Sequence, residues 1–588
     1  MQAIPEKRVA LLIVAALLLM FAIVSWVAVS GKSSTYDEPV HALGSWLVLH
    51  FGDFRIDPEN PPLWQHWAGL ANGADAIRVD MDDPEFRAVL HRDQDLRYQT
   101  TVRWLYQTPP NDGERFVRRS RVMMIFVALA GGFGVVWWCW RIAGASAGVA
   151  GATLFALDPN FLGHAPLVKN DVALAAAILW LAIATWSLGR RLTAPRIANI
   201  ALALAAAITI KFTALIAPAI VALLLLIRAL SREPWSGLER RSQKLLAAVG
   251  VLVACAMVCY LAIWACYHFR FDATPEANAA LERETVYRAA LSRGVTPGIV
   301  YDLAEFAERH RLLPQAFLNG VMYQILMAHE RQMFLCGLYS YTGWWYYFPL
   351  AALFKTPVTT LIALAATFGW AIAQLMRNRP TPQIRWTIVC LLLPASILLI
   401  SAMASGVNVG LRHIFPACIL AYVAAGIVVG KIWNAHGARI KWLVSILGMT
   451  LAIESFSAFP DYIAYFNFLS GGSRGSLALL SDSNLDWGQD LPLLAKWQRD
   501  NPTTPMYLLY FGTARGYGIT LNPPAPNQDA VVAISATYLQ GLYTDPDTLR
   551  QIAYVRKHDP FAILGGTIYL YRWTAADNLA MQQQEQTP

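Results

Sequence analysis

Four runs of this chain carry no charged side chain: Val9 to Val29, Val122 to Trp140, Val172 to Gly189 and Leu245 to Tyr267. A bilayer core about 30 Å thick is crossed by roughly 20 apolar residues, each adding about 1.5 Å to a helix. Runs of that length and purity constrain the fold before anything else does. The rest of the chain agrees. A soluble domain has about a quarter of its residues charged, whereas here 15% are charged and 56% are hydrophobic. The apolar blocks divide into about eleven spans, at 9–29, 122–140, 147–163, 172–189, 197–210, 212–227, 245–267, 347–376, 386–404, 413–430 and 442–459. The first is longer than the h-region of a signal peptide, about 7–15 residues, and reads as a retained span. The spans at 197–210 and 212–227 are short and separated by Lys211.

Charge sets the topology. Lys7, Arg8, Arg141, Arg190, Arg191, Arg228, Lys244, Arg377, Lys431 and Lys441 fall at every second turn, in short loops, where an excess of Lys and Arg marks the cytoplasmic side. The net charge of +8 is therefore a membrane signal and no argument for nucleic acid. With the N-terminus inside, three long segments lie outside: 30–121, 268–346 and 460–588. Arg115, Arg118, Arg119 and Arg121, at an outer helix end, break the rule. They read either as headgroup anchors or as a site for an anionic ligand. The seven cysteines lie mostly within spans and form no CxxC pair, so neither a disulfide framework nor a zinc site is indicated.

The expected fold is a polytopic α-helical membrane protein with a small extracytoplasmic α/β domain at the C-terminus. Residues 1–459 form the transmembrane domain. The first outer loop is acidic and carries interfacial helices, one over Leu63–Leu70 and helical spacing over 82–107 behind an Asp-Asp-Pro opening. The second large outer loop is 268–346. Residues 460–588 contain strand-like runs at Met506–Phe511, Ala530–Ile534 and Phe561–Tyr571, with a helix near Asp490–Arg499. Met581 to Pro588 read as disordered.

Charges at a membrane face are costly to bury and point to function. Asp37, Glu38, Asp158, Lys169, Asp171, Lys211, Lys355, Arg412, His413 and Glu454 map mostly to outer helix ends, where they would converge on one cavity. Cations beside a few carboxylates suit a phosphate-linked substrate. Lys and Arg neutralise a phosphate leaving group, and a carboxylate takes a proton from an attacking hydroxyl.

Several stretches then resemble one family. Thr35-Tyr36-Asp37-Glu38-Pro39-Val40-His41 and Asp57-Pro58-Glu59-Asn60-Pro61-Pro62-Leu63 are similar to the first-loop motif of bacterial lipid-carrier-dependent glycosyltransferases. These belong to the glycosyltransferase-C superfamily, beside the protein O-mannosyltransferases and the aminoarabinose transferase of lipid A. Leu157 to His164 with Lys169-Asn170-Asp171, Lys211-Phe212-Thr213, Phe354-Lys355-Thr356-Pro357, Asn408 to Pro416, Tyr465-Phe466-Asn467 and Asp482 to Asp490 resemble the same family, in order.

The resemblance implies an inverting transfer of a sugar from a polyprenyl-phosphate donor to an acceptor hydroxyl at the outer face of a bacterial inner membrane. By position, Asp37 is the expected general base and Glu38 its support. Asp171, with Asp158 nearby, takes the second acidic position, facing the acceptor. Lys211, Lys355 and Arg412 are the expected donor-phosphate ligands. The family's His-Pro-Pro-Leu reads Asn60-Pro61-Pro62-Leu63 here, so Asn60 has no acid–base role. A carboxylate pair can hold a divalent cation, but the resemblance does not demand one, and no metal ligands are assigned. The acceptor is left as a glycan, a lipid or a protein.

Each residue has a plainer reading. Asp37-Glu38 and Asp171 would cap helices, Lys211 and Lys355 would snorkel to headgroups, and His41 and His413 would be structural. The Asp-Trp-Gly-Gln-Asp run would be a fold feature of the tail. Two other functions use the same features: a transporter or flippase for lipid-linked sugars, which should carry inverted repeats or broken helices in matching halves, and a non-catalytic binder, which would not need Asp37-Glu38.

Overall fold

The computed structural model describes residues 4–89, 94–276, 298–327, 331–377, 380–514, 516–520 and 528–577. Met581 to Pro588 lie outside the described residues. Among the described residues, eight helices are long and apolar enough to cross a membrane: Glu6–Ser30, Gly113–Ala143, Asp171–Arg190, Phe212–Leu230, Arg241–Cys266, Pro382–Ala404, Leu411–Ala435 and Ala438–Ser457. The other three expected spans are shorter apolar helices, Ala145–Ala156, Ala194–Ile208 and Val358–Gln374. The protein is thus a multi-pass helical membrane protein.

The shortened spans have local causes. The span expected at 147–163 stops at Ala156. The Asp158 carboxylate accepts the N–H groups of Asn160 and Phe161 at 2.8 and 3.0 Å, Pro159 fills the first turn, and a separate short helix, Pro159–His164, begins. A side-chain cap with proline behind it is a helix start, so the apolar run is cut in two. The span expected at 347–376 is likewise two helices, Tyr347–Lys355 and Val358–Arg377, parted at an extended Thr356. Pro357 forces that, because the residue before proline is pushed out of the helical region. Lys211 is also extended and stands between Ala194–Ile208 and a 3₁₀ turn at Phe212–Ile216. These interruptions leave Asp158, Lys211 and Lys355 at helix ends.

The bundle is closed by small residues. A Cβ placed on Gly430 would sit 2.5 Å from Ala147, and one on Gly426 would sit 2.9 Å from both Gly151 and the Cys139 sulfur. The Leu411–Ala435 helix therefore packs backbone to backbone on Ala145–Ala156, as small residues allow between membrane helices.

Outside the bundle, Leu63–Gly69 forms the first expected loop helix, and Asp83 caps Pro84–Ala88 by accepting the Glu85 N–H at 2.9 Å. The tail carries a four-stranded sheet in the order Met506–Leu509, Ala530–Ser535, Ile568–Trp573, Ala562–Leu564, of which the first pair is parallel and the rest antiparallel. The single strand expected over 561–571 is a hairpin. Gly565 and Gly566, at φ 58° and 77°, turn the chain where the run looked continuous. The expected helix is Leu491–Asp500.

The tail is stitched to the end of the bundle. The Ser33 N–H donates to the Gln489 carbonyl at 3.0 Å and the Tyr36 N–H to the Trp487 carbonyl at 2.8 Å. Lys32, just past the first span, pairs with both Asp461 and Asp490. Residues 482–490 are accordingly buried between the bundle and the sheet.

Candidate active site

Asp37 ends the segment that leaves the first span and sits at the N-terminus of the Glu38–Phe51 helix, but its carboxylate makes no capping hydrogen bond. It receives the Lys169 ammonium instead, at 2.6 Å. The same ammonium lies 2.8 Å from His41 Nε2. On the other side of the ring, His41 Nδ1 lies 2.7 Å from Asp57 Oδ2, which also accepts from Gln65 at 2.6 Å. A continuous polar chain thus runs Asp57–His41–Lys169–Asp37. Gly44 makes room for it: a Cβ there would be 2.6 Å from the Asp57 Cβ. Burial alone would raise the Asp37 carboxyl, but Lys169, with His41 and Arg412 behind it, holds the group below the usual carboxylate range.

Glu38, one residue on, is fully buried and committed. Arg121 grips it at two points, Nε to Oε1 at 2.9 Å and Nη2 to Oε2 at 2.6 Å. The N–H groups of Thr35 and Val168 complete its shell at 2.8 and 3.0 Å. Arg121 is therefore neither a headgroup anchor nor free for an outside anion. Arg118 and Arg119 are exposed.

A cavity of about 70 Å³ opens beside Asp37, lined by Tyr36, His41, Glu59, Arg97 and Tyr98 among others. Tyr36 stacks between Tyr98 and Phe511, ring centroids 4.9 and 4.7 Å apart. Glu59 pairs with Arg97 at 2.5 Å. Burial would raise the Glu59 carboxyl, but Arg97, Lys169 and His41 together hold it well below its usual range.

Asp171 starts the Asp171–Arg190 helix without capping it, since the cap position is Asn170, whose side chain makes no capping bond. Its two oxygens take Lys211 and Arg412, the latter at 3.0 Å. Arg412 also donates to Ser483 at 3.0 Å and stacks 4.3 Å from the centroid of the Trp487 ring. Lys169 lies 5.5 Å from the same centroid. Those two distances limit the ammonium and the guanidinium to about 10 Å of each other. Trp487 is the hub of the site, and three cations (Lys169, Lys211 and Arg412) gather around two carboxylates, Asp37 and Asp171.

The structure does not bring Lys355 or Asp158 into that group. Lys355 is buried, donating to the carbonyls of Ile463, at 2.9 Å, and Asn484. Asp158 caps its short helix and accepts the Tyr422 hydroxyl at 2.5 Å. His413 is half-buried, with its Nε2 atom buried and unpartnered. Glu454 accepts the Tyr465 hydroxyl at 2.7 Å. Sequence reasoning placed Lys169 among the converging charges without a specific role, and gave none to Asp57 or Trp487. Their signal was there, since all three stand in the motif stretches, but each matters only through partners far along the chain.

The donors near Asp37 do not suit a divalent cation. Among the described residues no three His, Cys, Asp or Glu side chains are grouped to hold one. The place beside Asp37 is filled by an ammonium, and Glu59 is taken by Arg97.

No protein-family model matches the chain, and no curated protein matches it. Solved structures similar to it include ArnT from Cupriavidus metallidurans bound to undecaprenyl phosphate, at 13% identity over 95% of this chain and 97% of that one, TM-score 0.43. The archaeal oligosaccharyltransferase AglB from Archaeoglobus fulgidus, in complex with an inhibitory peptide and a dolichol-phosphate, is similar at 12% identity over 95% and 74% of the two chains, TM-score 0.39. The apo form of the Archaeoglobus fulgidus oligosaccharyltransferase is similar at 12% identity over 83% and 58%, TM-score 0.40.

Proposed function

We propose that the protein is an inverting glycosyltransferase that moves a sugar from a polyprenyl-phosphate donor to an acceptor hydroxyl at the outer face of a bacterial inner membrane. The observation that carries this reading is the juxtaposition of an uncapped carboxylate, Asp37, with cations arranged around Trp487. A single displacement needs a base on one side of the anomeric carbon and charge neutralisation on the other.

In this mechanism the acceptor oxygen attacks the anomeric carbon, and its proton passes to Asp37. The bond from that carbon to the phosphate oxygen breaks on the opposite face, and polyprenyl phosphate leaves against Arg412 and Lys211. Asp171 positions those two cations. Lys169 holds Asp37 ionised and oriented, and is itself held by His41, which Asp57 anchors. Glu38 is a positioning residue, locking the Thr35–Glu38 turn through Arg121. Lys355 supports the site indirectly by fixing the 463 and 484 backbone. No step runs through a metal. The acceptor is a glycan, lipid or protein hydroxyl.

The test uses purified protein in nanodiscs with a panel of short-chain polyprenyl-phosphate sugars. Sugar-specific release of polyprenyl phosphate, reduced about 10²–10⁴-fold in Asp37→Asn with donor binding retained, supports the reading. Donor movement between leaflets without release, even with cell-envelope extract as acceptor, would replace it with a flippase.

A further inference from the structure

At the opposite end of the same helices lies a second and larger site. The Asp171–Arg190 helix begins at the carboxylate that holds Arg412 and is 20 residues long, a rise of about 30 Å. Arg190 is therefore a full membrane thickness from the candidate active site. Beside it is a cavity of about 610 Å³ between the ends of five helices, within the 300–1,000 Å³ typical of ligand pockets.

Its lining is divided in two. Arg141, Arg190 and Lys431 stand on it, and no Asp or Glu among the described residues lines it. None of the three has an ion-pair partner among the described residues; aromatic faces flank two of them. The Arg190 guanidinium lies 4.7 Å from the Trp186 ring centroid, and the Lys431 ammonium 4.8 Å from that of Trp370. The remainder of the wall is mostly aliphatic and reaches the lipid-facing surface of the bundle, where Ile384 and Leu392 are 40% and 53% exposed.

We infer that this cavity is a binding site for an anionic glycerophospholipid of the leaflet opposite the active site, with its phosphate held by Arg141, Arg190 and Lys431 and its acyl chains along the Ile384–Leu392 wall. Three cations with no carboxylate lining the same cavity suit an anion, and basic pockets between membrane helices bind anionic headgroups. The aliphatic wall continuous with the bilayer distinguishes a lipid from a soluble phosphate. Tryptophans at this depth suit the interface between headgroup and chains. The inference stands on this end of the molecule alone and is independent of the proposed transfer chemistry.

The experiment uses the full-length protein in phosphatidylcholine nanodiscs doped with photoreactive phosphatidylglycerol. In wild-type protein, adducts should map to residues 367–374 and 380–392 and to residues 424–431. Arg190→Gln/Lys431→Gln should lower the adduct yield about tenfold or more, each basic residue near an anionic surface contributing of the order of a fivefold change. Lys441→Gln, a basic residue outside the cavity, should leave the yield unchanged. Adducts spread evenly over the bundle in wild-type protein would overturn the inference, and that map needs no variant to fold. Competition by inorganic phosphate as strong as that by phosphatidylglycerol would make this a soluble-anion site. Displacement by polyprenyl phosphate but not by phosphatidylglycerol would assign it to the carrier. Either result replaces the phospholipid.

Discussion

Arg121 holds Glu38 by two hydrogen bonds, at 2.9 and 2.6 Å, and both side chains are buried. This pair separates the two neighbouring acids: Glu38 is spent on the fold, and Asp37 is not. Removing one partner of a buried ion pair costs about 3–5 kcal/mol because the other charge is left alone. Glu38→Gln should therefore lower the thermal unfolding temperature more than Asp37→Asn, whose ion pair with Lys169 is single and partly exposed, whereas Asp37→Asn should cut transfer about 10²–10⁴-fold. A double change of Glu38 and Arg121 to uncharged residues should recover part of the lost stability. Equal unfolding temperatures for the two single variants would remove the distinction.

Lys169 governs the protonation of Asp37, which gives a pH test. Burial and the nearby Glu59 raise the Asp37 carboxyl, and Lys169, helped by His41 and Arg412, brings it below the usual range. As a base, Asp37 acts only when ionised, so the acid limb of the wild-type rate profile should fall below the ordinary carboxylate value of about 3.9. In Lys169→Gln the largest lowering influence is lost, while burial and Glu59 still raise the group against the weaker pull of His41 and Arg412. The acid limb should then move to higher pH, beyond any change in the plateau rate. The stability term has the same sign: the paired Asp37 contributes above its unfolded value and loses that contribution as pH falls through its folded one. A limb that stays in place in Lys169→Gln would show that another group is the base.

Much of this architecture was legible in the sequence, and the rest was hidden for physical reasons. Charge-free runs located the spans because bilayer thickness fixes their length. Hydropathy did not expose the breaks at Pro159 and Pro357, since a proline is nearly invisible in an apolar average yet decides local backbone geometry. Asp37, Asp171, Lys211 and Arg412 stood out as candidates because charges at helix ends are costly, and the structure places them at such ends. Lys355 looked equivalent to Lys211, but its partners are carbonyls 108 and 129 positions further on. Nothing local distinguishes a lysine facing a cavity from one pinning a distant loop. Trp487 reads as a tail residue until the Ser33–Tyr36 segment folds against it.

Asp486, next to that tryptophan, should titrate in the stability of the protein. Burial pushes its carboxyl up to about 6, against the opposing effect of the Thr537 and Gly488 N–H groups. A carboxyl raised on folding stabilises fully below its unfolded value, near 3.9, and that contribution is lost as pH rises through about 6. Relative to Asp486→Asn, the wild type should gain stability as pH is lowered from above 6 to about 4. The comparison is read from paired unfolding curves over that window. A pH-independent difference would mean that Asp486 is already charged without penalty.

The clamp between the tail and the first span should matter to catalysis although it touches no reacting atom. Gly565 has φ 58°, and a Cβ there would lie 2.4 Å from the Asp490 carboxyl carbon. Asp490 cannot move aside freely, because it pairs with Lys32 and accepts the Thr567 hydroxyl at 2.7 Å. Gly565→Ala thus combines a left-handed backbone with a clash and should cost about 1–3 kcal/mol. The strain is passed on through Gln489 and Trp487, whose carbonyls hold Ser33 and Tyr36, directly before Asp37. The turnover number should therefore fall several-fold at a temperature where the variant is still folded, with the acid limb of the pH profile unmoved because Asp37 keeps Lys169. Limited proteolysis should cut the tail sooner than in wild type. A variant that loses stability but keeps full turnover would show that the tail stabilises the bundle without positioning its acid.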